Sequence, residues 1–176
     1  GQFTILVVDD DPVNRMVLAS IIKLHQHRII EANSGEQALD IVAKDKTIDM
    51  VILDVMMPNM SGFETAMRIR VAHPVHLLPI IFLTAKNYSD DLVRGFVAGG
   101  NDFLTKPVSK QELLSRITCH LRLLHINRSL EENIKYRDFE YCSTQAELQA
   151  LDKIIASLNS EMNPAVLLKT LLNQIL

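Results

Sequence analysis

Tryptophan is absent from the 176 residues, and cysteine, glycine and proline are few, at two, six and six. Two cysteines, Cys119 and Cys142, do not make a disulfide framework. If both lie on one helix, a rise of about 1.5 Å per residue puts them roughly 35 Å apart, beyond bridging distance. There is no CxxC or HExxH, and the six histidines are scattered, so a zinc site has little support. No apolar run reaches the roughly 18–20 residues that span a bilayer. The opening Gly1-Gln2-Phe3 carries no basic lead and no cleavage pattern. An excess of either charge is missing too. The net charge is −3, with 13 basic against 14 acidic residues up to Arg122 and 5 against 7 after it. Neither part has the basic face that grips nucleic acid or an anionic membrane. The expectation is a cytoplasmic chain with no direct nucleic-acid or membrane partner. What is present is 48% hydrophobic residues, enough for a core, in a length that suits one domain plus an appendage.

The first 122 residues alternate between two periods. Phe3-Thr4-Ile5-Leu6-Val7-Val8 is a short apolar run rich in β-branched residues, the pattern of a strand buried on both faces. Asp11 then sits at a helix cap with Pro12 at the first helical position. Val13, Val17, Ile21 and Leu24 repeat on one face. Further strands are expected at Arg28 to Ala32, Met50 to Asp54, Pro79 to Thr84 and Asp102 to Thr105. Helices are expected at about 34–43, 63–71 and 90–98, and from the capping pair Ser109 and Glu112 onward. Five such units imply a parallel sheet with helices on both faces. In such sheets the site lies beyond the carboxyl ends of the strands.

Those ends carry chemistry. The first strand ends in Asp9-Asp10, the third in Asp54, the fourth in Thr84 and the fifth in Lys106. A lone Asp after a strand is usually a cap, and Asp11 is read that way. An acidic pair, a single Asp, a Thr and a Lys at four strand ends in order is a different matter. Three carboxylates in one pocket repel and raise each other's pKa. Lys106 offsets one charge and a divalent cation would offset two. Ligands that are all oxygen point to Mg²⁺.

The segments Ile5-Leu6-Val7-Val8-Asp9-Asp10, Val51 to Gly62, Ile81-Phe82-Leu83-Thr84-Ala85 and Phe103-Leu104-Thr105-Lys106-Pro107 together resemble the receiver domain of two-component response regulators, over about residues 3–122. The resemblance implies a flavodoxin-like α/β fold, a doubly wound five-stranded parallel sheet of order 2-1-3-4-5. It implies that Asp54 is the phospho-acceptor, taking a phosphoryl group from a histidine kinase or phosphotransfer protein. Asp10, Asp54 and the main-chain carbonyl of Met56 would bind Mg²⁺, and Asp9 would act through a water. Thr84 and Lys106 would hold phosphoryl oxygens. Thr84 and Phe103 would form the switch, and the Lys106–Pro107 bond would be cis. One departure is that Phe103 lacks the hydroxyl of the Tyr common there. Its inward and outward positions would then differ by packing alone.

No Pro or Gly occurs from Val108 to Asn163, so the last helix can run on. Residues 123–162 carry a heptad line of Leu123, Asn127, Leu130, Ile134, Arg137, Tyr141, Thr144, Leu148, Leu151, Ile155, Leu158 and Met162. Nine of these twelve are apolar, which favours a coiled-coil seam over a solvated helix. Ile at a, Leu at d and Asn127 at an a position predict a parallel homodimer. Arg137 and Thr144 weaken its middle. Asn163-Pro164 then starts another helix. Residues 163–176 resemble the opening helix of a GAF domain, which implies a further output domain beyond this sequence.

Two other readings compete with the phospho-switch. A haloacid-dehalogenase-like phosphohydrolase also uses a strand-end Asp, but needs a second Asp two residues on, where this chain has Met56. The other is a silent receiver that only scaffolds a dimer.

Overall fold

The computed structural model describes residues 2–85 and 89–161; for residues 89–92 and 157–161 only the helical backbone is described. The elements alternate: β1 (Thr4–Val8), α1 (Pro12–Lys23), β2 (Arg28–Ala32), α2 (Gly35–Lys44), β3 (Ile48–Asp54), α3 (Gly62–Arg70), β4 (Ile80–Thr84), α4 (Ser89–Val97), β5 (Asp102–Thr105) and α5 (Lys110–Glu161). The strands form one sheet of order β2-β1-β3-β4-β5, and every pairing is parallel. This is the doubly wound order expected.

The apolar runs become strands because each has a core on both sides. Alternate residues point to opposite faces. Leu6, Val8, Val51, Leu53, Ile80 and Phe82 enter one buried cluster, with Ala38, Val42, Ala66 and Ile69 of α2 and α3. Ile5, Val7, Met50, Ile52, Ile81, Leu83 and Leu104 enter the other, with Leu18 and Ile22 of α1 and Leu113, Ile117, Leu121 and Leu124 of α5. Helix starts follow their caps. Asp11 accepts from the Val13 amide, Ser34 from Gln37 and Ser61 from Glu64.

In α1 the repeating face and the buried face differ, though Ile21 of the former packs against the second cluster. The buried face of α1 is Leu18, Ala19 and Ile22, whereas Val13, Val17 and Leu24 are exposed. Met16, Val17, Leu18, Ala19, Ile21 and Ile22 make this helix apolar around much of its circumference. Periodicity alone could not choose between two stripes; the path from Asp9 into the helix does.

The chain divides into two units, residues 1–129 and 130–176. The first reaches past the expected limit at 122 because the next turns of α5 still engage the sheet domain. Leu124 is buried, and Asn127 and Arg128 bond to residues 76 and 49. In the second unit, Leu130, Ile134, Tyr141, Leu148, Leu151 and Ile155 are each more than half exposed. The Leu158 side chain, Met162 and the expected helix from Asn163 lie outside the described residues. Among the described residues no helix is long and apolar enough to cross a membrane.

Candidate functional site

The register of the sheet brings the strand ends to one edge. Asp54 pairs with Leu83, and Thr84 with Thr105. The Lys106 amide donates to the Thr84 carbonyl at 2.8 Å, and the Val55 amide to the Leu83 carbonyl at 3.0 Å. The chain therefore delivers Asp54, Thr84 and Lys106 side by side as the strands run out. Asp9 follows directly on β1.

Asp9 is fully buried and completely engaged. Its Oδ1 accepts from the Asp11 amide at 2.9 Å, and the Asn14 Nδ2 lies 3.2 Å from both carboxylate oxygens. Its Oδ2 accepts from Lys106 Nζ at 2.8 Å. The same ammonium stands 3.0 Å from Asp54 Oδ2. Asp54 is itself buried, and its Oδ1 takes a long contact of 3.4 Å from the Met56 amide. Asp10 is exposed at the mouth. Asp9, Asp10 and Asp54 each offer an oxygen within 4.8 Å of the others.

The electrostatics follow from this packing. Burial raises the pKa of Asp54; its hydrogen bond and attraction to Lys106 pull against that shift, and the Asp9 charge adds to it. Burial opposes the charge on Lys106, but its hydrogen bonds to Asp9 and Asp54 prevail and its pKa is raised. The ammonium is thus held charged between two carboxylates, one of which is strained in its ionised form.

Thr84 is buried at the end of β4, and Ala85 beside it is exposed. Phe103 leans into the molecule. Its ring centre lies 5.3 Å from that of Phe82 and 5.1 Å from that of Phe96. Gly95 makes this possible, since a Cβ there would enter the Phe103 ring. The Lys106–Pro107 peptide is cis. Met56 is exposed beside the pocket.

Sequence reasoning missed three supports. Asn14 holds both oxygens of Asp9. Arg15 Nη1 donates to the Asp9 carbonyl at 2.7 Å and to the Asp10 carbonyl at 3.2 Å. Both lie on the first turn after Pro12, so counting one helical turn from the acidic pair would have found them. The third is Gly62, whose position leaves no room for a Cβ against the Asp54 backbone. Its amide donates to the Val55 carbonyl at 3.0 Å, which closes the loop after the acceptor.

The donor set fits Mg²⁺. Three carboxylates converge with no sulfur or imidazole among them, the oxygen chemistry a hard cation prefers.

Comparisons with known proteins agree with this geometry. The family model for the response regulator receiver domain matches residues 5–118. The transcriptional regulatory protein CpxR of Escherichia coli (strain K12) is 38% identical over 129 residues, 73% of this chain and 53% of that protein. A probable cyclic di-GMP phosphodiesterase of Vibrio cholerae is 36% identical over 161 residues, 91% of this chain and 36% of that protein. The crystal structure of a putative response regulator from Chloroflexus aurantiacus J-10-fl superposes with a TM-score of 0.64 at 35% identity, covering 69% of this chain and 99% of that one. The chain spans about half the length of the transcriptional regulators it matches.

Proposed function

Because this chain belongs to the response regulator receiver family, we propose that it is a phosphorylation-controlled switch whose acceptor is Asp54. The observation that carries this is the single ammonium of Lys106 placed 2.8 Å from Asp9 and 3.0 Å from Asp54, with Asp10 completing the acidic set.

An oxygen of Asp54 attacks the phosphorus of a phosphohistidine on a histidine kinase or phosphotransfer protein, and the bond from phosphorus to the histidine nitrogen breaks. Asp10, Asp54 and the Met56 carbonyl would hold Mg²⁺, with Asp9 acting through a water. When bound, the cation neutralises charge on the transferring group. Lys106 moves from its carboxylate partners to a phosphoryl oxygen, and Thr84 supplies a hydroxyl to another. Attack needs little more than alignment and charge neutralisation, which these groups provide. The product carries roughly −1.5 to −2 charge and three strong acceptors. Thr84 and Phe103 respond to it, biasing the surface of α4 and β5. Met56 stands where a hydrolase of similar chemistry needs its acid, so the chain is an acceptor and not a turnover enzyme.

The heptad residues of α5, from Leu123 and Asn127 through Leu130, Leu148 and Ile155, make a parallel homodimer that passes the state to an output domain. The match to the Vibrio cholerae phosphodiesterase runs over 161 residues, against 129 for CpxR, and so extends further along this chain. That supports an output enzyme of cyclic-dinucleotide chemistry. The setting is the cytoplasm.

The test is incubation with acetyl phosphate and Mg²⁺, followed by intact mass. One phosphoryl group per chain, lost in Asp54→Asn, is expected. A mark that survives in Asp54→Asn would move the acceptor, steady hydrolysis of phosphate esters would make the chain an enzyme, and no mark at all would make it a scaffold. Sedimentation with and without beryllium fluoride then reads the dimer.

A further inference from the structure

Beside the first turn of the seam the receiver carries an open cleft that the phosphorylation chemistry does not use. Leu123, Leu124 and Asn127 of α5 line it with Val75, His76 and Pro79, which lead into β4, and its volume is about 240 Å³. Leu124 is buried in the second core cluster and fixes this turn to its own sheet domain. Asn127 Nδ2 donates to the His76 carbonyl at 3.2 Å, so the 75–79 segment stands directly beside the helix. Apolar side chains remain open to water around this turn: Leu123 is 50% exposed, Ile126 47% and Val75 43%.

Heptad positions say what a second copy brings there. Leu123 is a d position and Asn127 an a position, which makes Leu124 an e and Ile126 a g. In a parallel pair the e residues of one helix lie alongside the g residues of the other. The e flank of this turn is the one that faces its own receiver, because Leu124 is buried there. The g residue arriving on that flank is the partner's Ile126. An a-position knob also packs into a hole that includes the preceding g residue of the facing helix. The partner's Ile126 therefore meets Asn127, one hydrogen bond from His76. On its own helix Ile126 sits roughly 160° round from Leu124, away from its own receiver. Charged residues are usual at g, whereas this one is apolar, and the receiver surface waiting for it is Val75.

We propose that the interface between copies extends beyond the α5 seam: the partner's Ile126 docks over the cleft and packs on Val75 and Leu123, so that each receiver helps to hold the other copy's helix. The occupant is a second copy of this chain, and two-fold symmetry makes the contact twice. The added apolar burial lies at the receiver end of a seam whose middle is weakened by Arg137 and Thr144. This rests on the dimer reading above, so the test separates the two.

Val75→Glu is the decisive variant. Residue 75 is on the receiver surface, so the fold is kept, which circular dichroism checks. The dimer dissociation constant from sedimentation equilibrium is expected to rise at least tenfold. An unchanged constant overturns the proposal, because a seam confined to α5 does not feel residue 75. Cross-linking identifies the neighbour. In full chains with the exposed Cys119 and Cys142 changed to serine, a Val75→Cys copy is equilibrated with a longer, tagged Ile126→Cys copy, and the mixed disulfide is followed under mild oxidation. It should form at least tenfold faster than with a tagged copy carrying Glu132→Cys, an outward f position. Equal rates overturn the proposal. Leu130→Cys, a d position, reads the seam alone. If it links the copies while Val75→Glu changes nothing, the seam stands and the cleft contact is refuted. If it links nothing at any concentration, the dimer reading has failed and the proposal falls with it.

Discussion

Replacing Lys106 with alanine removes the ammonium that separates two buried carboxylates. Asp9 is fully buried and Asp54 nearly so, while the Lys106 side chain is 24% exposed. Breaking a buried ion pair from one side typically costs about 3–5 kcal/mol, because a charge is left without its partner. Two features pull this case to the lower end. Lys106 is partly solvated, so water can enter its place. Asp54 already has a raised pKa and can take up a proton, at about 1.4 kcal/mol per unit between its pKa and the ambient pH. We therefore expect a loss of about 3 kcal/mol at pH 7 in the presence of a chelator. For a chain of this length that lowers the melting temperature by roughly 6–12 °C. The loss should shrink as the pH falls, since a protonated Asp54 no longer repels Asp9. Added Mg²⁺ should stabilise the variant more than the parent. Thermal denaturation followed by circular dichroism, with chelator and with Mg²⁺, measures all three. A shift under about 2 °C at pH 7 would refute the argument that Lys106 is the counter-charge of the pair.

Three more outcomes follow from the same physics. Asp54→Asn should be more stable than the parent at pH 7 without metal. The raised folded pKa means the parent's carboxyl favours folding fully below 3.8 and loses that contribution as pH rises through the folded value. Asparagine does not titrate, so the gap in urea midpoint should open with rising pH above about 4 and vanish below it; a gap independent of pH sinks this. Gly95→Ala gains up to about 1 kcal/mol of helix propensity. It also drives a methyl into the Phe103 ring and to within 3.0 Å of Phe63, an overpacking of about 1–3 kcal/mol. A net loss near 1 kcal/mol is expected by urea denaturation, relieved by Phe103→Leu, and a stabilised variant contradicts it. Finally, Arg137→Leu with Thr144→Leu fills the two polar d positions and should tighten the dimer at least tenfold by sedimentation equilibrium; an unchanged constant counts against the seam.

Much of this molecule is written locally. Short β-branched runs must be strands, Asp11 ahead of Pro12 must cap a helix, and the order of strand-end residues names the pocket. Each of these depends on neighbours within a few positions, and a buried five-residue run flanked by helices has few alternatives. Other features depend on residues far apart in the chain. Val13, Val17 and Leu24 form as good a stripe as Leu18, Ala19 and Ile22, and only the second meets the sheet. Asn14 and Arg15 join the site because Asp9 ends β1 just where α1 turns back over it. Lys106 reaches Asp9 across 97 positions, and Arg128 reaches Asp49 across 79. The heptad spacing through Leu123 and Asn127 is the same as through Leu130 and Ile134, yet residue 127 is bonded to the receiver's own backbone. Spacing determines which residues share a helix face. Which surface that face meets is decided by closure of the whole sheet, since two groups can compete for one volume only after the chain has brought them together.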